Sequence, residues 1–234
     1  MNVSAIILAA GLGERMGSEH NKILLDICGR PLLLYSVRAF GQVSAIGEIV
    51  IVVRAGEEAA VQAALEGFDR PIRFVQGGEV RRDSSLSGVR AARGEHVLIH
   101  DGARPFATSA LIERVIEAAA RHSAAIPVLP AADTLHVRRS DAATLVRTLD
   151  RTSIVQAQTP QGFARSLVLD ALERAPESVT DDAAAVLALG HAVHCVDGDP
   201  RNLKVTRPED VVMAESIARV LAAEGSSDIR TPVV

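Results

Sequence analysis

The sequence predicts one α/β domain: a mostly parallel sheet with helices on both faces. Three observations carry this expectation. Short apolar runs at residues 3–10, 48–53, 71–75, 97–99 and 125–129 are separated by helical stretches, and strand–helix alternation is how parallel strands are joined. The runs at 3–10, 71–75 and 97–99 each empty into a polar connection containing glycine, and such carboxyl ends of strands are where ligands collect in open α/β sheets. No internal repeat and no long linker divides the 234 residues, a length one domain with a large core accommodates.

Composition narrows the function classes. Hydrophobic residues make up 48% and charged residues 23%, as in an ordinary globular chain, and a net charge of -4 creates no basic field for nucleic acid. Aromatics are 3% with no Trp, so no stacking platform for single-stranded bases is expected. Cys28 and Cys195 lack the paired spacing of a zinc or redox motif and are expected to be reduced, partly buried thiols. No basic segment precedes an apolar core at the N-terminus, and no run approaches the roughly 18 apolar residues of a membrane span. A cytoplasmic protein that engages neither membrane nor nucleic acid is expected.

In chain order, the strand at 3–10 opens into Gly11-Leu12-Gly13-Glu14-Arg15-Met16-Gly17 and reaches Lys22. Glycines let the backbone N–H groups turn toward an anion, while Arg15 and Lys22 add full positive charge. The dinucleotide spacing would need Gly where Met16 stands, and the P-loop would need Lys and Ser/Thr after Gly17. What remains resembles a nucleotidyltransferase loop for a nucleoside triphosphate, against the plainer reading of a strand-to-helix turn with two solvated cations. Pro31 opens a helix to residue 40; a strand at 48–53, a helix at 57–65 and a strand at 71–75 follow. The next loop holds Gly77 and Gly78, with Ser84 placed either to read a base edge or to cap a helix at 86–92.

The strand at 97–99 ends in His100-Asp101-Gly102-Ala103-Arg104-Pro105. A carboxylate there suits a metal ion bound with a triphosphate, or an ion pair with Arg104 that fixes the turn. His100 carries no assignment. After a helix at 109–122 and a strand at 125–129, residues 133–137 and 144–149 read as two strands joined by a charged turn at 138–141. A lone hairpin is marginal, so this arm, about 132–150, is expected to pack on a second subunit. Residues 154–163 read as a short strand then a turn, leading to a helix at 165–174. Thr180-Asp181-Asp182 reads as an acidic N-cap of a helix at 183–189. A strand at 192–196, a polar segment carrying Lys204 and a helix at 208–223 complete a domain of residues 1–224. Residues 225–234 show no periodicity and are expected to be a disordered tail.

Several blocks together say more than any one of them. Leu8-Ala9-Ala10-Gly11-x-Gly13-x-Arg15-Met16, Lys22, Gly77-Gly78-x-x-Arg81-x-Asp83-Ser84, His100-Asp101-x-Ala103-Arg104-Pro105, Asp150-Arg151, Thr159-Pro160-Gln161 and Asn202-Leu203-Lys204-Val205-Thr206 occur in one order along the chain. This set resembles the 2-C-methyl-D-erythritol 4-phosphate cytidylyltransferase family. The resemblance implies a Rossmann-like domain with a protruding β-hairpin dimerisation arm. It also implies transfer of CMP from CTP to methylerythritol phosphate with release of pyrophosphate, Mg²⁺ dependence, and a homodimer whose arms embrace.

Matched residue by residue, the resemblance assigns Arg15, Lys22 and Lys204 to the catalytic phosphate clamp and Asp101 to Mg²⁺ and the nucleotide. Ala9, Ala10, Gly11, Gly13, Gly78, Glu79 and Ser84 would surround CTP, Glu79 standing where the family often has Asp. Arg151 and Thr180 would receive the methylerythritol phosphate, with Thr134 reaching in from the partner's arm; Arg151 beside Asp150 also reads as a surface ion pair. Two departures stand out. Asn21 replaces a frequent Pro before the cation, so a looser Lys22 is expected, and Gly102 replaces a frequent Ala. A ribitol-5-phosphate cytidylyltransferase and a non-catalytic nucleotide-binding protein are the alternatives. Ala103 and the Thr180 block lean toward the methylerythritol enzyme.

Overall fold

A computed structural model describes residues 2–11, 21–139 and 143–224. Its centre is β1 (Val3–Leu8), hydrogen-bonded in parallel to β2 (Ile46–Val53) on one side and β4 (His96–Asp101) on the other. Strands buried on both faces read as continuous apolar runs, and Val3, Ala5, Ile6 and Ile7 are all fully buried. β3 (Ile72–Gln76) extends the sheet in parallel beyond β2. On the far side, β10 (His194–Asp197) pairs in parallel with β5 (Ala124–Pro130). With β9 (Gln161–Ala164) between β5 and β4, the order is β10-β5-β9-β4-β1-β2-β3.

The alternation of side chains along β1 sorts the helices into two layers. Val3, Ala5 and Ile7 share a core with α1 (Leu32–Gln42), α2 (Glu58–Ala64) and α4 (Ser109–His122). Ile6 faces the other core, built on α3 (Arg81–Ala91), α5 (Arg165–Arg174) and α6 (Asp182–Ala188). The last helix, α7 (Pro208–Ala223), packs Ala214, Ala218 and Leu221 over Leu32 and Tyr35 of α1. No helix among the described residues is long and apolar enough to cross a membrane.

Three expectations need correction. The turn expected within residues 154–163 contains the start of a strand, β9, inserted antiparallel between β4 and β5. Its period is invisible because Gly162 has no side chain to pack. A Cβ there would stand 2.8 Å from Val115 Cγ1 and 3.0 Å from Ala119 Cβ, so α4 lies directly on the strand backbone. Together with β8 (Val155–Ala157), also antiparallel to β5, it makes one strand broken at residues 158–160. Second, α3 begins at Arg81 rather than at residue 86, with Val80 as N-cap. Ser84 is therefore inside the first turn, its N–H bonded to Val80 O at 3.2 Å, and does not cap the helix. Third, Cys28 and Cys195 are exposed, not partly buried.

The arm is present as β6 (His136–Arg138) and β7 (Leu145–Thr148), an antiparallel pair separate from the main sheet. Leu145 and Val146 are 65% and 56% exposed. Part of the expected turn, residues 140–142, and the expected tail at 225–234 lie outside the described residues.

Candidate functional site

Two cavities open at the carboxyl ends of the strands. The first, about 230 Å³, lies between Ala10 and Gly11 at the end of β1, the Gly78–Arg81 turn before α3, and the end of β4. The second, about 210 Å³, lies between the break at Gln158 and Thr159 and the start of α6 at Thr180 and Asp181. Arg81, Asp101 and Lys204 line both.

Each shared residue is placed by a different part of the fold. Asp101 is the last residue of β4, and its N–H donates to Thr159 Oγ1 at 3.1 Å. Lys204 arrives on the loop before α7, which is stitched down by Val205 N to Ala103 O at 2.9 Å and by the buried Asn202, whose Nδ2 donates to Thr159 O at 2.7 Å. Arg81 is the first residue of α3. Lys204 Nζ donates to Asp101 Oδ2 at 2.5 Å, while Arg81 Nε and Nη2 reach Oδ1 at 3.3 and 3.2 Å. Burial works against the Asp101 charge, but the Arg81 and Lys204 cations outweigh it and hold the carboxyl well below the ordinary range.

Arg104 does not form the ion pair with Asp101 that the turn suggested. Its backbone N–H bonds to Asp101 O at 2.9 Å, and its guanidinium Nη1 reaches Asn202 O at 2.7 Å, bracing the Lys204 loop. His100 is fully buried between these groups. Thr159 Oγ1 already accepts from Asp101 N, so its own hydrogen donates to His100 Nδ1 at 3.0 Å. His100 Nε2 then carries the proton and donates to Arg104 O at 2.9 Å. Burial is the main cause that lowers this imidazole to a pKa of about 4, so it stays neutral.

The remaining sequence candidates divide. Ala10, Gly11, Lys22, Gly78, Glu79 and Ser84 line the first cavity, and Thr180 the second. Gly77 and Gly78 permit the close approach of the turn, since a Cβ at Gly78 would fall within 2.3 Å of Asp83 Cβ. Ala9 is not brought to the cleft. It is fully buried, its N–H donating to Val52 O at 2.8 Å and its carbonyl accepting from Asn21 Nδ2 at 2.6 Å. Thr134 and Arg151 are exposed and line neither cavity. Arg151 Nη1 is tied to Ala132 O at 2.6 Å, and Asp150 caps the Arg151–Ser153 turn through Thr152 instead of pairing with Arg151. Gly13 and Arg15 lie outside the described residues.

The backbone before Lys22 is held in place without a proline. Asn21 is 5% exposed with φ −63°, the value proline would impose. Its side chain also caps the Lys22–Leu24 turn, Oδ1 accepting from Ile23 N at 3.3 Å. The change at Gly102 is tighter than it reads: a Cβ there would stand 2.8 Å from Leu8 O. Sequence reasoning gave no role to Arg81 or Asp182. Arg81 follows the glycine pair as the first of two adjacent arginines, and nothing in the sequence separates its role from that of Arg82. Asp182 looked like any acid in a first helical turn.

Among the described residues no three His, Cys, Asp or Glu side chains converge. The single carboxylate Asp101, bordering both cavities, has the donor chemistry for Mg²⁺, which takes one or two carboxylates and completes its shell with phosphate oxygens and water. The residues fit that ion.

The model of the family described as "IspD: 2-C-methyl-D-erythritol 4-phosphate cytidylyltransferase" matches residues 3–220. A bifunctional enzyme IspD/IspF from Anaeromyxobacter sp. (strain Fw109-5) is 45% identical over 229 residues, which span 95% of this chain and 59% of that protein. This chain thus covers about three fifths of that relative's length. The 2-C-methyl-D-erythritol 4-phosphate cytidylyltransferase of Bacillus cereus is 39% identical, over 92% of this chain and 97% of its own. The crystal structure of the same-named protein from Thermus thermophilus superposes with a TM-score of 0.78 at 36% identity, covering 94% of this chain and 100% of that one. With the match running from the first strand to the last helix, the chain belongs to the 2-C-methyl-D-erythritol 4-phosphate cytidylyltransferase family.

Proposed function

We propose that this chain transfers the CMP group of CTP to 2-C-methyl-D-erythritol 4-phosphate, giving 4-diphosphocytidyl-2-C-methyl-D-erythritol and pyrophosphate, in non-mevalonate isoprenoid precursor synthesis. The observation that carries the reading is the meeting of two cavities at Arg81, Asp101 and Lys204. A triphosphate in the first and a phosphomonoester in the second would bring two anions together at that cationic junction.

The reaction is an in-line displacement. An oxygen of the acceptor phosphate forms a bond to the α-phosphorus, and the bond from that phosphorus to the pyrophosphate oxygen breaks. Positioning and charge neutralisation are the catalytic requirements, with no covalent nucleophile. Lys22, Lys204 and Arg15 supply positive charge to the phosphates, each donor worth roughly 3 to 4 kcal/mol at the transition state. Asp101, together with the triphosphate oxygens, would hold Mg²⁺, which would supply further charge neutralisation. Gly78, Glu79 and Ser84 bound the nucleoside end. Thr180 receives the acceptor from within the second cavity, while Arg151, which lines neither cavity of its own chain, would reach the acceptor, like Thr134, across the arm contact of a cytoplasmic homodimer. Residues 1–224 form the catalytic domain.

Pyrophosphate release from CTP and Mg²⁺, with methylerythritol phosphate or ribitol 5-phosphate as acceptor, tests the reading. Release with the first alone is expected. Release with ribitol phosphate alone would replace the acceptor, and CTP binding without release would replace the activity.

A further inference from the structure

Asp182 has no part in the reaction as written, yet its side chain is 1% exposed, more deeply buried than that of Asp101. It opens α6, whose N-terminus is clamped to β9 by Gln161: Oε1 accepts from Ala183 N at 3.0 Å and Nε2 donates to Asp181 Oδ2 at 2.9 Å. Neither Asp182 oxygen has an aligned hydrogen-bond donor. Its compensating charge is Arg81, whose Nη2 stands 2.9 Å from Oδ2. Keeping a carboxylate this buried on one guanidinium is costly.

The same Arg81 Nη2 is 3.2 Å from Asp101 Oδ1. One guanidinium therefore spans two carboxylates, one at the junction of the cavities and one behind it. A guanidinium facing a single carboxylate favours a two-point fork on both oxygens. On Asp101 that fork would take Oδ2, where Lys204 Nζ now sits.

The geometry points to Asp182 as a positioning residue that holds Arg81 to the Oδ1 side of Asp101, keeping Oδ2 for Lys204 and for the divalent cation that accompanies the triphosphate. The inference rests on the CTP reading above. Charge balance agrees with it: Arg81 and Lys204 face Asp101 and Asp182, so loss of Asp182 leaves two cations competing for one carboxylate. Burial disfavours the Arg81 charge, but Asp182 first and Asp101 second outweigh it and raise its pKa, so the guanidinium stays charged.

The test is calorimetric titration of CTP at a series of magnesium concentrations, for wild type, Asp182→Asn, Arg81→Gln and the double variant Arg81→Gln/Asp182→Asn, with thermal melts of each. Asp182→Asn is expected to raise the magnesium needed for half-maximal CTP binding about 10-fold or more, the effect of losing a residue that orients a metal ligand. Its kcat should recover at high magnesium. In the double variant no guanidinium remains to take both oxygens, so its magnesium requirement should lie within about 3-fold of that of Arg81→Gln alone, whatever CTP affinity both lose with the Arg81 charge. A folded Asp182→Asn with the wild-type magnesium requirement overturns the proposal, whatever its melting temperature. If Asp182→Asn does not fold, the pair Arg81→Gln and Arg81→Gln/Asp182→Asn decides: a magnesium requirement about 10-fold higher in the double variant than in Arg81→Gln overturns the proposal, and equal requirements support it. Wild-type protein that binds no CTP at any magnesium concentration overturns the functional reading and this inference together.

Discussion

Asn21 Nδ2 lies 2.8 Å from Glu57 Oε2, joining the residue before the proposed catalytic lysine to the residue before α2. The same nitrogen donates to Ala9 O at the end of β1, so Lys22 is approached through a polar clamp where the family commonly has a proline. Asn21→Ala removes the clamp and leaves a buried carbonyl without its donor, an expected loss of about 1–3 kcal/mol in stability. Lys22 would then drift, lowering kcat about 10-fold or more. Asn21→Pro loses the same side-chain bonds but keeps φ near −63°, so it should melt earlier yet hold kcat within about 3-fold of wild type. Equal kcat losses in both variants would show that backbone preorganisation is not what counts.

Lys22 and Lys204 are expected to act on the transition state more than on binding. Lys22→Ala and Lys204→Ala should each lower kcat about 100- to 1,000-fold, with much smaller changes in the KM for CTP. Steady-state pyrophosphate release checks this, and an unchanged kcat with a raised KM would remove the residue from the catalytic clamp.

Burial of neutral His100 makes stability depend on pH. In the unfolded chain it protonates near its ordinary 6.5, whereas in the folded chain it resists protonation down to about 4. Between those values the unfolded state binds a proton that the native state does not, so stability falls as pH falls from about 6.5 to about 4, by roughly 3 kcal/mol in total. Asp101 has the opposite character and a lower window. Its depressed pKa adds stability above the ordinary carboxylate value, lost as pH falls below that value toward the folded one. Urea unfolding of wild type and His100→Gln at pH 7 and pH 5 separates the two, since the variant should lose the slope above pH 5 and keep the acid limb.

Leu145 and Val146 on β7 expose apolar surface that a solitary chain gains nothing from showing to water. Leu145→Asp/Val146→Asp is expected to shift sedimentation from dimer to monomer and to raise the KM for the acceptor, with little change in monomer melting. A dimer unaffected by these charges would place the interface elsewhere.

Much of the fold was legible because its signals are local. The buried runs of β1, β2 and β4, the glycines at Gly77 and Gly78 and the positions of Lys22, Asp101 and Lys204 follow from periodicity and residue type within a few positions. Other features had no local signal. β9 is four residues with a glycine in its centre, a strand only because β4 and β5 flank it. Ser84 reads equally as cap or pocket residue until the start of α3 is known. Arg81 opens α3 and Asp182 opens α6, and nothing in their separation along the chain announces that one guanidinium will serve two carboxylates. The sequence by itself determined the parallel strands, the helices between them and the charges at Lys22, Asp101 and Lys204, because hydrophobic period and residue type act over short spans. Only the tertiary structure decided which charge faces which, since ion pairs are set by distances that close when the sheet is assembled.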